Sequence, residues 1–146
     1  MQIQSGSGTL VETIGGYTGS APALWIGRAT GAATVAFLAM DAMGKLLEVQ
    51  PVIEAMTRLG YHPQVAFGLG ITLSVCLLLY VVPRTAVLGA VLLTGYLGGA
   101  IATHVRVGSP LLTHVLFPAY LAAFIWGSLL LRDARLRAFV PWGRRG

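Results

Sequence analysis

Asp41 and Lys45 stand four residues apart, with the acid first, and His104, Arg106 and His114 fall within one short stretch far along the chain. The first spacing places a carboxylate and an ammonium on one helix face, in the order that favours an ion pair. An imidazole such as His104 or His114 can give or take a proton near neutral pH, or hydrogen-bond a ligand carbonyl. Arg106 suits the negative charge that develops on a reduced or enolised ligand. The competing reading is structural: an ion pair that ends a helix at the lipid boundary, and a histidine and an arginine that anchor a turn. Asp41, His104 and His114 are therefore the candidates for proton transfer, and Lys45, Tyr96, Gly99 and Arg106 the candidates for ligand contact.

Tyr96, Ala100 and His104 recur every four residues and share one helical stripe. A phenol inside an apolar segment seeks a hydrogen-bond partner. Gly95 and Gly99 form a GxxxG pair, Thr94, Gly98 and Ala102 a second small-residue stripe, and Gly27 with Gly31 a similar pair earlier in the chain. Such spacing predicts close helix packing. The alternative is that the missing side chains leave room for a flat ring against the backbone. No dense metal-ligand motif such as HExxH is present, so no metal site is expected; a bis-histidine haem would require His104 and His114 both to turn inward. Cys76 is the single cysteine, which excludes a disulfide within the chain. No phosphate loop, nucleophile elbow or dinucleotide fingerprint occurs.

The elements that must position these groups are hydrophobic. Of 146 residues, 55% are hydrophobic and 10% charged, with a mean hydropathy of +0.75; an average soluble domain carries about 25% charged residues. That excludes a soluble domain and a disordered chain. Four apolar segments, at 23–43, 64–82, 86–103 and 111–131, each have about the length that crosses ~30 Å of hydrocarbon. The expected fold is all-α: an integral membrane four-helix bundle, antiparallel, within 24–140. Residues 1–23, rich in Gly, Ser and Thr, are expected to form a flexible tail, and 141–146 a basic one. Between the first two spans, Val52, Ile53, Met56 and Leu59 recur at helical spacing opposite Glu54 and Arg58. This predicts a short interfacial helix that starts near Pro51 and is stopped by Gly60. Gly108 and Pro110 mark a turn, and Trp25, Trp126 and Trp142 suit interfacial belts.

An even number of spans puts both termini on one side. Arg28, Arg84, Arg132, Arg135, Arg137, Arg144 and Arg145 would share that side, against Lys45, Arg58 and Arg106 on the other. Seven against three predicts cytoplasmic termini. Asp41, Lys45, His104, Arg106 and His114 then meet at one non-cytoplasmic level, joined by Glu48 and His62. The net charge of +5 is read as membrane topology and attraction to anionic headgroups, not as nucleic-acid binding.

The run PRTAVLGAVLLTGYLGGAIATHVRVGSP, the HVLFP of the fourth span, the DAMGKL that ends the first and the LGYHP before the second together resemble the DoxX-like family of small bacterial four-span membrane proteins. The resemblance extends over roughly 24–141. It implies a place in the plasma membrane and favours a quinone-linked role, because the wider DoxX group includes a membrane subunit associated with thiosulfate:quinone oxidoreduction. It also implies a fold similar to sterol-isomerase and sterol-binding four-helix membrane domains, and it supplies no catalytic set.

The expected function is that of a membrane protein of a redox system, holding a quinone-like lipophilic ligand near the non-cytoplasmic side. A partner protein, or a second copy of the chain, would complete the system, since no flavin or Fe–S motif is present. Two other classes stay open: an acid–base enzyme, such as an isomerase, acting on a hydrophobic substrate, and a non-catalytic anchoring or assembly subunit.

Overall fold

The computed structural model describes residues 21–133 and Leu136, all in helices, turns or short connections. Most of the expected N-terminal tail, Trp142 and the basic end at 141–146 lie outside the described residues. The elements are α1 (Ala21–Leu46), α2 (Gln50–Arg58), α3 (Val65–Val81), α4 (Ala86–Arg106), a π turn (Leu111–Val115) and α5 (Phe117–Arg132). No strand occurs among the described residues.

Among the described residues three stretches are long and apolar enough to cross a membrane: Pro22–Leu46, Ala86–Arg106 and Leu111–Arg132. α3 is equally apolar but has 17 residues, or ~26 Å at 1.5 Å each. Its limits are set by Pro63 on one side and the Pro83-Arg84-Thr85 turn on the other, where Thr85 Oγ1 donates to the Leu79 carbonyl at 2.8 Å.

Helix ends follow one local device used three times. After α1, Val49 N–H bonds to Gly44 O and Glu48 N–H to Lys45 O; after α2, Tyr61 bonds to Met56 and Gly60 to Thr57; after α4, Ser109 bonds to His104 and Gly108 to Val105. Each pairs a six-to-one with a five-to-two bond around a left-handed residue, the Schellman arrangement. Gly60 (φ 78°) and Gly108 (φ 67°) fill that position as the sequence suggests, whereas after α1 it is Glu48 (φ 49°). A left-handed residue other than glycine gives no signal, so α1 continues three residues beyond the expected end at 43. It also begins at Ala21, which makes 21–23 helical rather than part of a tail.

α1 packs on α3 and α5, and α4 packs on the same two helices. The close approaches are made by glycine. A Cβ at Gly27 would come within 2.7 Å of Leu131 Cβ, and one at Gly31 within 2.9 Å of Ser128 Oγ, so α5 lies in a groove of α1. At Gly89 a Cβ would fall 2.2 Å from the Tyr80 backbone nitrogen; α3 and α4 touch there main chain to main chain. Between the helices Leu73, Ala90, Leu93 and Ile125 are wholly buried. Facing outward are Leu78, Val81, Leu88, Val91, Tyr120 and Phe124, all exposed. Apolar residues inside and out, over far more surface than a water-soluble monomer exposes, identify a membrane protein. Trp126 packs against the core, and its indole N–H donates to Thr94 Oγ1 at 3.0 Å.

Candidate functional site

Residues on α1, α3, α4 and α5 line a half-open cavity of about 570 Å³, and α2 roofs it. Ligand pockets span roughly 300–1,000 Å³. Its walls are mainly apolar. Phe37 of α1 and Phe117 of α5 meet edge to face with centroids 5.4 Å apart, and Leu38, Leu97 and Leu121 continue the lining. The apolar face of α2 supplies Val52 and Met56, and Leu59 follows directly after the helix. The expected short amphipathic helix is present, and part of its apolar face covers the cavity.

Polar groups enter at one end of the chamber. Lys45 is buried and its Nζ donates to Asp41 Oδ2 at 2.5 Å. Tyr96 also lines the cavity, half-buried, and its hydroxyl makes no hydrogen bond among the described residues. His104 is placed one turn beyond Ala100 on the same stripe; its Nδ1 is 3.1 Å from Ser109 Oγ, which leaves Nε2 for a ligand. Thr103 Oγ1 donates to the Gly99 carbonyl at 2.9 Å and accepts from Tyr61 at 2.7 Å.

Asp41 and Lys45 of α1 and Tyr96, Gly99 and His104 of α4 therefore all line this one cavity. Arg106 and His114 do not. Arg106 is exposed, its Nη2 donates to the Leu59 carbonyl at 2.9 Å, and its guanidinium lies 5.8 Å from the Tyr61 ring centroid, so it ties the roof to α4. His114 is exposed behind His104, with ring centroids 5.6 Å apart and Nδ1 2.8 Å from Thr113 Oγ1. Its position follows from the π turn, where Val115 and Leu116 N–H groups reach back five residues to Pro110 and Leu111. Pro118 follows with no N–H to offer the His114 carbonyl. Glu48 and His62 are exposed and outside the wall. Among the described residues no three His, Cys, Asp or Glu side chains come together as metal ligands.

The glycine stripes of α4 require a correction. A Cβ added at Gly95, Gly98 or Gly99 would meet nothing within 4 Å. These positions are not packing contacts; Gly95 and Gly99 are open backbone in the cavity wall. The close packing belongs to Gly27, Gly31 and Gly89 instead. Tyr61, Thr103 and the Phe37–Phe117 pair were not singled out from the sequence. The one available hint was Tyr61 directly after a glycine helix stop, where its ring must fold back.

A helical membrane protein with a half-open, largely apolar chamber between its helices is thus the class that fold and site define. The chain belongs to the DoxX-like family, whose model matches residues 29–128. No match was found among curated proteins or among solved structures.

Proposed function

We propose that this protein holds a lipophilic ring compound, a quinone, in the α2-roofed cavity, as part of a redox system of the bacterial plasma membrane. In this reading all four apolar helices cross the bilayer as an antiparallel bundle, and both ends of the chain are cytoplasmic. Asp41, Lys45 and His104 then lie near the far surface.

The observation that carries the reading is the Tyr96 hydroxyl, without a hydrogen bond among the described residues, in the wall of a mainly apolar chamber. A phenol within hydrocarbon is costly without a partner, and a ring carbonyl supplies one. The open backbone at Gly95 and Gly99 leaves a flat surface beside it. Lys45 and His104 Nε2 offer donors to a second carbonyl, and the Phe37–Phe117 edge gives the ring an aromatic neighbour. Electrons would come from a partner protein, and His104 with the Asp41–Lys45 pair would handle the accompanying protons.

The test is extraction of the protein purified in mild detergent, followed by titration of a short-chain quinone. Retention in the native chain, weakened about tenfold in Tyr96→Phe and His104→Ala, supports the assignment; each lost hydrogen bond of 1–1.5 kcal/mol accounts for about that factor. Equal affinity in all three overturns it. Turnover of a carbonyl or olefin substrate with no electron acceptor would move the same residues to acid–base catalysis.

A further inference from the structure

A second pocket, of about 420 Å³, lies at the other end of the molecule, where α1 and α4 begin and α3 and α5 finish. Arg28 of α1 and Arg132 of α5 both line it, with Asp133 also in the wall. Leu24 and Leu129 form apolar lining beside the charged groups.

Arg132 is held in place. Its Nε donates to the Ser128 carbonyl and its Nη2 to the Tyr80 hydroxyl, both at 3.3 Å, and its guanidinium is 5.6 Å from the Tyr80 ring centroid. Tyr80 is 2% exposed and bonded to Ser128 Oγ at 2.6 Å, so the group that orients the arginine is itself fixed. Gly31 leaves room for the arrangement: a Cβ there would sit 2.9 Å from Ser128 Oγ, the atom bonded to Tyr80. Two of the five guanidinium N–H groups are committed to these partners, which leaves three for a ligand.

We infer that this pocket binds a phosphate ester, gripped by Arg28 and the pre-oriented Arg132. The planar guanidinium fork matches phosphate oxygens. Basic pockets among helix ends at the headgroup level are where anionic lipid phosphates are found. The apolar side of the pocket suits the glycerol and the first methylenes of a lipid. A water-soluble phosphate ester has the same charged group, and the experiment separates the two sources.

The full chain in mild detergent is titrated with phosphatidylglycerol, with phosphatidylcholine of the same acyl chains, and with glycerol 3-phosphate, by native mass spectrometry and thermal shift. One retained phosphatidylglycerol is expected, with phosphatidylcholine bound at least tenfold more weakly. Arg28→Gln and Arg132→Gln each weaken it about tenfold, the size of one charge-assisted hydrogen bond. Arg84→Gln, an exposed charge in the α3–α4 turn outside the pocket, leaves it unchanged. Displacement by glycerol 3-phosphate identifies a soluble ester; no displacement identifies the lipid. Should Arg132→Gln fail to fold, Arg28→Gln decides alone, because among the described residues Arg28 makes only a ring contact, with Trp25 at 5.9 Å. Equal binding of the two lipids, or a loss in Arg84→Gln as large as in Arg28→Gln, overturns the inference.

Discussion

Tyr61 and Thr103, 42 residues apart, are joined hydroxyl to hydroxyl at 2.7 Å. Because Thr103 spends its own proton on the Gly99 carbonyl, Tyr61 is the donor. With the Arg106–Leu59 bond beside it, this contact fastens the roof of the cavity to α4.

Tyr61→Phe removes one tie and orphans nothing, since Thr103 keeps Gly99. The expected loss is about 1 kcal/mol of local closure, seen as roughly fivefold faster amide exchange across 50–62. Adding Arg106→Gln should increase it further. Unchanged exchange in the double variant would mean that α2 is held by its apolar face alone.

Gly99→Ala and Gly89→Ala should differ in sign. At Gly99 a Cβ meets nothing within 4 Å, so alanine keeps the fold and gains up to about 1 kcal/mol of helix propensity. At Gly89 it meets the Tyr80 main chain, and the helices must separate at a cost of about 1–3 kcal/mol. Gly99→Leu should retain the fold and lose the ligand. Thermal midpoints in one detergent check all three.

The ion pair is asymmetric: the Lys45 side chain is 11% exposed and that of Asp41 36%. Asp41→Asn strands a buried ammonium, whereas Lys45→Met leaves a carboxylate that water can reach. The first should cost about 3 kcal/mol and the second about 1, with Asp41→Asn plus Lys45→Met recovering most of the loss. A double variant as unstable as Asp41→Asn would show that the pair does more than neutralise itself.

His104→Ala should weaken quinone retention while His114→Ala leaves it within about twofold, since only the first lines the cavity. Equal losses would place His114 in ligand contact after all.

Glu48→Gly relieves a left-handed conformation that costs an ordinary L-residue ~1–2 kcal/mol, offset in part by glycine's unfolded-chain freedom. The net gain should be about 0.5–1 kcal/mol in denaturation, with no change in ligand affinity.

How far the sequence carried depended on whether a residue type forces a conformation. Gly60 and Gly108 announce their stops because left-handed backbone selects glycine; Glu48 occupies the same position and is silent. Tyr96, Ala100 and His104 were legible as one stripe because 3.6-residue periodicity acts within a helix. Arg106 and His114 lie near His104 but outside the cavity lining, because each sits beside an irregular backbone segment that re-aims it. Spacing also could not tell which small-residue stripe has a partner: Gly27–Gly31 faces α5, and Gly95–Gly99 faces open space.

The π turn at Leu111–Val115 carries one residue more than an α-helical turn would hold. Removing a single amino acid there would re-phase all of α5 by about 100°. Phe117 and Pro118 would swing away from the chamber, and Ser128 would lose its alignment with Gly31 and Tyr80. That one surplus residue therefore sets the rotational phase of the last helix, and through it couples the two pockets at opposite ends of the protein.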